Sequence, residues 1–212
     1  MPYSSVLQYL SAAFKDNKLP GATAHVRLSP AMRFPPNMPL PDSREARRSA
    51  VLLLLYPHQE HLTIALMQRS ADGHVHSGQI SFPGGGVELV DADLTHTALR
   101  ETREEFGCDT DNFDLLGLLT PLHIPVSNSW VQPVVAFSAQ RPHYEPDAKE
   151  VAAIIELRLA DFLQTGALSE VQVKSGVGYT MKVPAFVIEG HVIWGATAMI
   201  LNEFLEIYSQ MG

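Results

Sequence analysis

The stretch from Gly84 to Gly107 restricts this chain more than any other. A glycine triplet, Gly84-Gly85-Gly86, follows Phe82-Pro83, and the segment behind it carries Glu101, Glu104 and Glu105. At i, i+3 and i+4 their carboxylates share one face of a helix. The pattern opposes the helix that bears it. Each like-charge pair at this spacing costs roughly 0.2 to 0.5 kcal/mol, and each carboxylate in the last turn opposes the macrodipole by about 0.3 to 1 kcal/mol. Asp91 or Asp93 can cap the start, Gly107 the end, and Leu94, Ala98, Leu99 and Phe106 point to a core. One reading is a solvated acidic face balanced by Arg100 and Arg103. The other is a site: a glycine turn lets backbone approach a phosphate or a metal. Mg2+ binds through a few carboxylates while keeping positions for water and substrate phosphate.

The rest of the chain supplies a fold around that stretch. Val6, Leu7, Leu10 and Phe14 stand at helical spacing between Tyr3 and Lys15. Pro30, Pro35, Pro36, Pro39 and Pro41 make an extended arm, suited to lie over the domain or a partner subunit. Arg44, Arg47 and Arg48 then lead into Val51 to Tyr56, an apolar run that reads as a strand buried on both faces, with a turn at Pro57-His58. Leu62 to Gln68, Phe113 to Leu119 and Trp130 to Phe137 read as further strands. Leu159 to Leu163 reads as a short helix, Gly166, Gly176 and Gly178 as turns, and Ile200, Leu201, Phe204, Leu205 and Tyr208 as a terminal helix with Trp194 in the core. Strands and helices in this mixture predict an α/β domain with a mixed sheet between helices. We expect one domain over residues 1–212, with an N-terminal helix and arm over 1–45 and a catalytic core over 46–212.

Composition excludes several classes of function. The formal charge of −8 argues against non-specific nucleic-acid binding, which needs a basic face. Cys108 is the only cysteine, so no intramolecular disulfide forms and a reducing compartment fits. No apolar run approaches the roughly 18 residues of a membrane span, and the first residues lack the order of a signal peptide. Cytoplasm is the expected location. His74, His76 and His96 lack the frame of a zinc site; His74 or His76 reads better as a substrate contact.

Arg100, Glu101, Glu104, Glu105 and Gly107 resemble the second half of the Nudix hydrolase signature, Gly-x5-Glu-x7-Arg-Glu-U-x-Glu-Glu-x-Gly-U, with U a bulky apolar residue. The first half fits with a shift: from Gly85 the acidic position is Asp91, with eight residues before Arg100, whereas from Gly86 it is Ala92. We take Gly85 and Asp91. Thr102 and Cys108 occupy the two apolar positions. Leu66-Met67-Gln68-Arg69-Ser70 and His76-Ser77-Gly78-Gln79-Ile80-Ser81-Phe82-Pro83-Gly84-Gly85 resemble the extra motif of the coenzyme A pyrophosphatase branch, except that Gly73-His74 stands where a Leu-Arg pair is usual.

The resemblance implies a Nudix alpha/beta/alpha sandwich and hydrolysis of coenzyme A to 3',5'-ADP and 4'-phosphopantetheine. Alternatives are another nucleoside diphosphate derivative, such as ADP-ribose or a dinucleotide, or a noncatalytic nucleotide-binding module. On this reading Glu101, Glu104 and Glu105, with the Gly85 carbonyl, hold Mg2+ or Mn2+. Arg100 orients the carboxylates and Asp91 fixes Arg100. Arg69, His74, His76 and Gly84 are the candidate substrate contacts. Glu150, ahead of the apolar Val151 to Ile155, is the candidate carboxylate from outside the box; Glu101, Glu105 and Glu150 are all eligible as the base. A homodimer would give the proline arm a partner.

Overall fold

A computed structural model describes residues 3–16, 19–30, 45–70, 78–174 and 180–211. Its elements in chain order begin with helices α1 (Tyr3–Lys15) and α2 (Ala22–Arg27) and strands β1 (Arg47–His58), β2 (His61–Arg69), β3 (Ile80–Ser81) and β4 (Gly84–Gly86). Helix α3 (Leu94–Phe106) precedes β5 (Asp114–Leu118), β6 (Leu122–Ile124), β7 (Ser129–Phe137) and β8 (Val151–Arg158). A 3-10 turn (Leu159–Leu163), β9 (Leu168–Lys174), β10 (Thr180–Ile188), β11 (His191–Trp194) and α4 (Gly195–Ser209) complete the chain.

Strand β1 divides the molecule. Its residues alternate between two cores: Ala50, Leu52, Leu54 and Tyr56 enter one, Leu53 and Leu55 the other. The continuous apolar run is therefore a strand covered on both faces. β1 pairs in parallel with β7 from Arg47↔Ser129 to Leu55↔Phe137, and antiparallel with β2 and with β4. β8 and β3 add to β2, and β5 and β6 add to β7, giving a mixed eight-stranded sheet. Helix α3 covers one face. Helices α1 and α4 and the antiparallel sheet β9-β10-β11 cover the other. This is the expected alpha/beta/alpha sandwich.

A second polar centre lies under α4. Glu203 is fully buried and accepts the Gly21 and Thr120 amides at 3.2 Å and the Thr120 hydroxyl at 2.6 Å. His25 Nε2 stands 2.9 Å from its other oxygen. One carboxylate thus fastens α2, α4 and the chain after β5.

Three local expectations change. The first turn falls at Gln59-Glu60, whose φ values are 47° and 66°, because Pro57 and His58 stay paired to Leu62 and His61. The glycine triplet is a strand, not a turn: it pairs with Ser49, Ala50 and Val51. Trp194 is only partly buried, since it ends β11 at the N-cap of α4. Most of the proline arm, with Arg44, and the turns at Gly176 and Gly178 lie outside the described residues.

Candidate active site

Helix α3 is set by its own sequence. Asp93 caps it, its side chain accepting from the His96 amide at 2.8 Å, and Gly107 ends it in the left-handed region at φ 60°. The helix lies over β1 and β4 and turns Thr97, Ala98, Thr102, Glu105 and Phe106 inward. The glycines of β4 allow close approach. A Cβ at Gly84 would overlap the Ala50 carbonyl, and one at Gly85 would overlap the Glu101 carboxylate.

The three box glutamates have three environments. Glu105 is 2 % exposed, accepts the Gly84 amide at 2.8 Å and has Arg69 Nη1 at 3.5 Å. Burial pushes its pKa up to about 8, against the lowering effect of the Gly84 amide and Arg69, with the charges of Glu101 and Glu150 adding to the rise. Glu101 is half-buried against Gly85, with Arg100 Nη1 at 3.0 Å. Its pKa is also raised, by burial first, with Arg100 opposing and Glu104 and Glu150 contributing. Glu104 is exposed and accepts from Arg100 at 3.0 Å.

Arg100 ties these groups to the loop before the helix. It donates to Asp91 through Nε at 3.0 Å and Nη2 at 3.1 Å, and to the Gly86 carbonyl at 2.9 Å. Asp91 also accepts the Glu88 amide and the Thr97 hydroxyl, at 2.8 and 2.9 Å. The Arg100 hydrogen bonds, then these contacts, hold the Asp91 carboxyl far below the usual range. His96 Nδ1 lies 3.1 Å from Asp91. Arg103, expected to balance the glutamates on a solvated acidic face, turns away to Thr110 and Asp111.

The remaining expectations fall unevenly. Glu150 is exposed at the entrance to β8, its carbonyl accepting the Ser70 amide at 2.9 Å, so the chain brings it beside the end of β2. Among the described residues nothing donates to its carboxylate. Gly84, an expected substrate contact, gives its N–H to Glu105. Arg69 faces Glu105. His74 and His76 lie outside the described residues. Sequence reasoning missed Thr97 and the Gly86 carbonyl as partners in the Arg100 assembly. Thr97 stands one turn before Arg100, but a lone threonine carries no signal of its own.

The donor set is all oxygen, which suits a hard divalent cation. Among the described residues no three acidic or imidazole groups converge closely enough to grip an ion as they stand. Arg100 engages Glu101 and Glu104, while Glu105 is held by Gly84. The fit rests on this oxygen chemistry and on the charges of Glu101 and Glu150, which add to burial in raising the Glu105 pKa and which a cation would offset.

The chain matches the NUDIX domain over residues 46–172. It belongs to the Nudix family. It is similar to the uncharacterised Nudix hydrolase NudL of Citrobacter koseri, 33% identical over 157 residues covering 74% of this chain and 81% of that one. It is 35% identical over 133 residues to the human mitochondrial coenzyme A diphosphatase NUDT8, covering 62% of this chain and 56% of that protein. Among solved structures, the Nudix hydrolase RenU of M. smegmatis superposes with a TM-score of 0.51 at 14% identity, over 78% of this chain and 88% of that one. That likeness shows the Nudix fold. The chain is a Nudix hydrolase, and the helix that carries Glu101, Glu104 and Glu105 lies within the matched span.

Proposed function

We propose that this Nudix hydrolase cleaves the diphosphate of coenzyme A or its derivatives to 3',5'-ADP and 4'-phosphopantetheine, in the cytoplasm. The carrying observation is the pair of carboxylates, Glu101 and Glu105, pressed against a glycine strand and both raised in pKa by burial, with the charge of Glu150 adding to the rise. The coenzyme A assignment is supported by the likeness to NUDT8 and by the motif from Leu66 to Gly85.

Glu101, Glu104 and Glu105, with the Gly85 carbonyl, would hold Mg2+ or Mn2+, which neutralises a diphosphate and lowers the pKa of water. Arg100 holds Glu101 and Glu104 in place, and Asp91 fixes Arg100 from behind. Arg69, whose guanidinium reaches the buried carboxylate, would meet a substrate phosphate. Glu150 serves as base: its carboxylate is exposed and takes a proton from attacking water as the new P–O bond forms and the bridging P–O bond breaks.

Product analysis tests the reading. Incubation with coenzyme A and Mg2+ or Mn2+ should release 3',5'-ADP and 4'-phosphopantetheine, and a chelator should abolish release. No turnover of coenzyme A, with turnover of ADP-ribose or a dinucleotide, would move the substrate assignment. No turnover of any of these would favour a binding module.

A further inference from the structure

The segment between β7 and β8, residues 138–150, lies outside the Nudix box yet is fastened to the box helix and delivers Glu150. The Glu145 amide donates to the Phe106 carbonyl at 3.0 Å and the Asp147 amide to the Glu105 carbonyl at 3.1 Å. These bonds satisfy carbonyls that the end of a helix leaves without partners. Gly107 makes the docking feasible, since a Cβ there would overlap the Glu145 carbonyl. Upstream, Arg141 forms two 2.8 Å bonds to the Glu156 carboxylate, and the buried Tyr56 hydroxyl donates to the same carboxylate at 2.7 Å. The Arg141 guanidinium sits 5.3 Å from the Tyr144 ring centre, and Tyr144 packs edge-on against Phe106 at 5.5 Å.

We infer that Arg141, Glu156 and Tyr56 are positioning residues: they clamp the 138–150 segment across the end of α3 and so hold Glu150 at the end of β2, next to Arg69, whose guanidinium reaches Glu105. None of the three is directed at the box glutamates. Glu150 itself is exposed and without a side-chain donor among the described residues, so its place depends on its backbone. A half-exposed ion pair adds little to global stability. A small displacement of a reacting group, by contrast, costs up to about a hundredfold in rate. The clamp therefore acts on geometry rather than on the fold as a whole.

The inference rests on the reading of Glu150 as base, and its test separates the two. Arg141→Ala should leave the melting temperature nearly unchanged, speed hydrogen exchange at the Glu145 and Asp147 amides, and leave exchange in β1 unchanged. Its kcat on coenzyme A with Mn2+ should fall about 10- to 100-fold with KM little altered. In a Glu150→Gln background the same change should cost nothing further. Arg141→Lys, which keeps charge but not the two-pronged bond, should recover only part of the rate. Tyr56→Phe, which removes one bond from the same carboxylate, should show a weaker version of each effect. Unchanged amide exchange would overturn the clamp, with or without a known substrate. Losses that multiply in the double variant would overturn its action through Glu150. Full activity of Glu150→Gln would instead remove the base assignment, while exchange would still report whether the clamp holds the segment.

Discussion

Glu105 and Glu203 are buried on opposite faces of one sheet, and the chain treats them differently. Glu203 collects donors from Gly21, His25 and Thr120, so both its oxygens are met by groups from two distant segments, the start of α2 and the chain after β5. Glu105 has one amide at 2.8 Å and a guanidinium at 3.5 Å, with Glu101 and Glu150 nearby. A buried charge that is fully hydrogen-bonded joins segments and costs stability when removed. One left short of partners costs stability while it stays ionised.

The comparison breaks if the two residues respond alike to substitution. Glu203→Ala should lower unfolding free energy by about 3 to 5 kcal/mol, read from urea titration, because it strands His25 and the donors of Thr120. Glu105→Gln should not destabilise the metal-free protein, yet should cut turnover by at least about a hundredfold if Glu105 holds the metal as proposed, more than the loss of a supporting group. Glu105→Gln as damaging to folding as Glu203→Ala would erase the distinction.

pH sharpens it. The folded pKa of Glu105, about 8, lies above the ordinary value of 4.5. The folded state therefore binds this proton more tightly than the unfolded one. Its contribution to stability is full below pH 4.5 and is lost as pH rises towards 8. Melting temperatures of the chelated protein should show this decline, Glu105→Gln should remove it, and saturating Mn2+ should flatten it. A decline that persists in Glu105→Gln would assign it elsewhere. Asp91→Asn, which weakens the hold on Arg100, should cost roughly 10- to 100-fold in turnover. Asp93→Ala removes only the cap, at about 1 kcal/mol of stability, with turnover by the folded protein unchanged. It touches neither carboxylate and serves as the control.

The box helix was legible because its determinants are local: a cap, a left-handed glycine and charges one turn apart all lie within residues 93–107. The same holds for α1, found from Tyr3 to Lys15 as its apolar spacing predicts. Glu203 left no comparable trace. Its partners lie 83 to 182 positions away, and in sequence it is one acidic residue between Asn202 and Phe204. The glycine triplet misled for a similar reason, since glycine signals a turn unless a neighbouring strand is already known. β1 is that neighbour, and only three-dimensional pairing reveals it. The Arg141, Glu156 and Tyr56 contacts join three separate strands and loops, so no spacing announces them.

The parallel pairing of β1 with β7 also sets the order in which the molecule can assemble. Arg47 meets Ser129 and Leu55 meets Phe137, so the edge of the central strand away from β2 and β4 finds its partner only after about eighty further residues have emerged. Contacts of such long sequence separation form slowly, because a large loop must close before they repay its entropy. Until then Leu52 to Tyr56 stands on a growing chain as an apolar strand with one edge unmet, the kind of surface on which nascent chains pair with each other. Yield in the cell should therefore depend on how fast residues 129–137 are made after β1, a vulnerability of synthesis that the finished enzyme no longer carries.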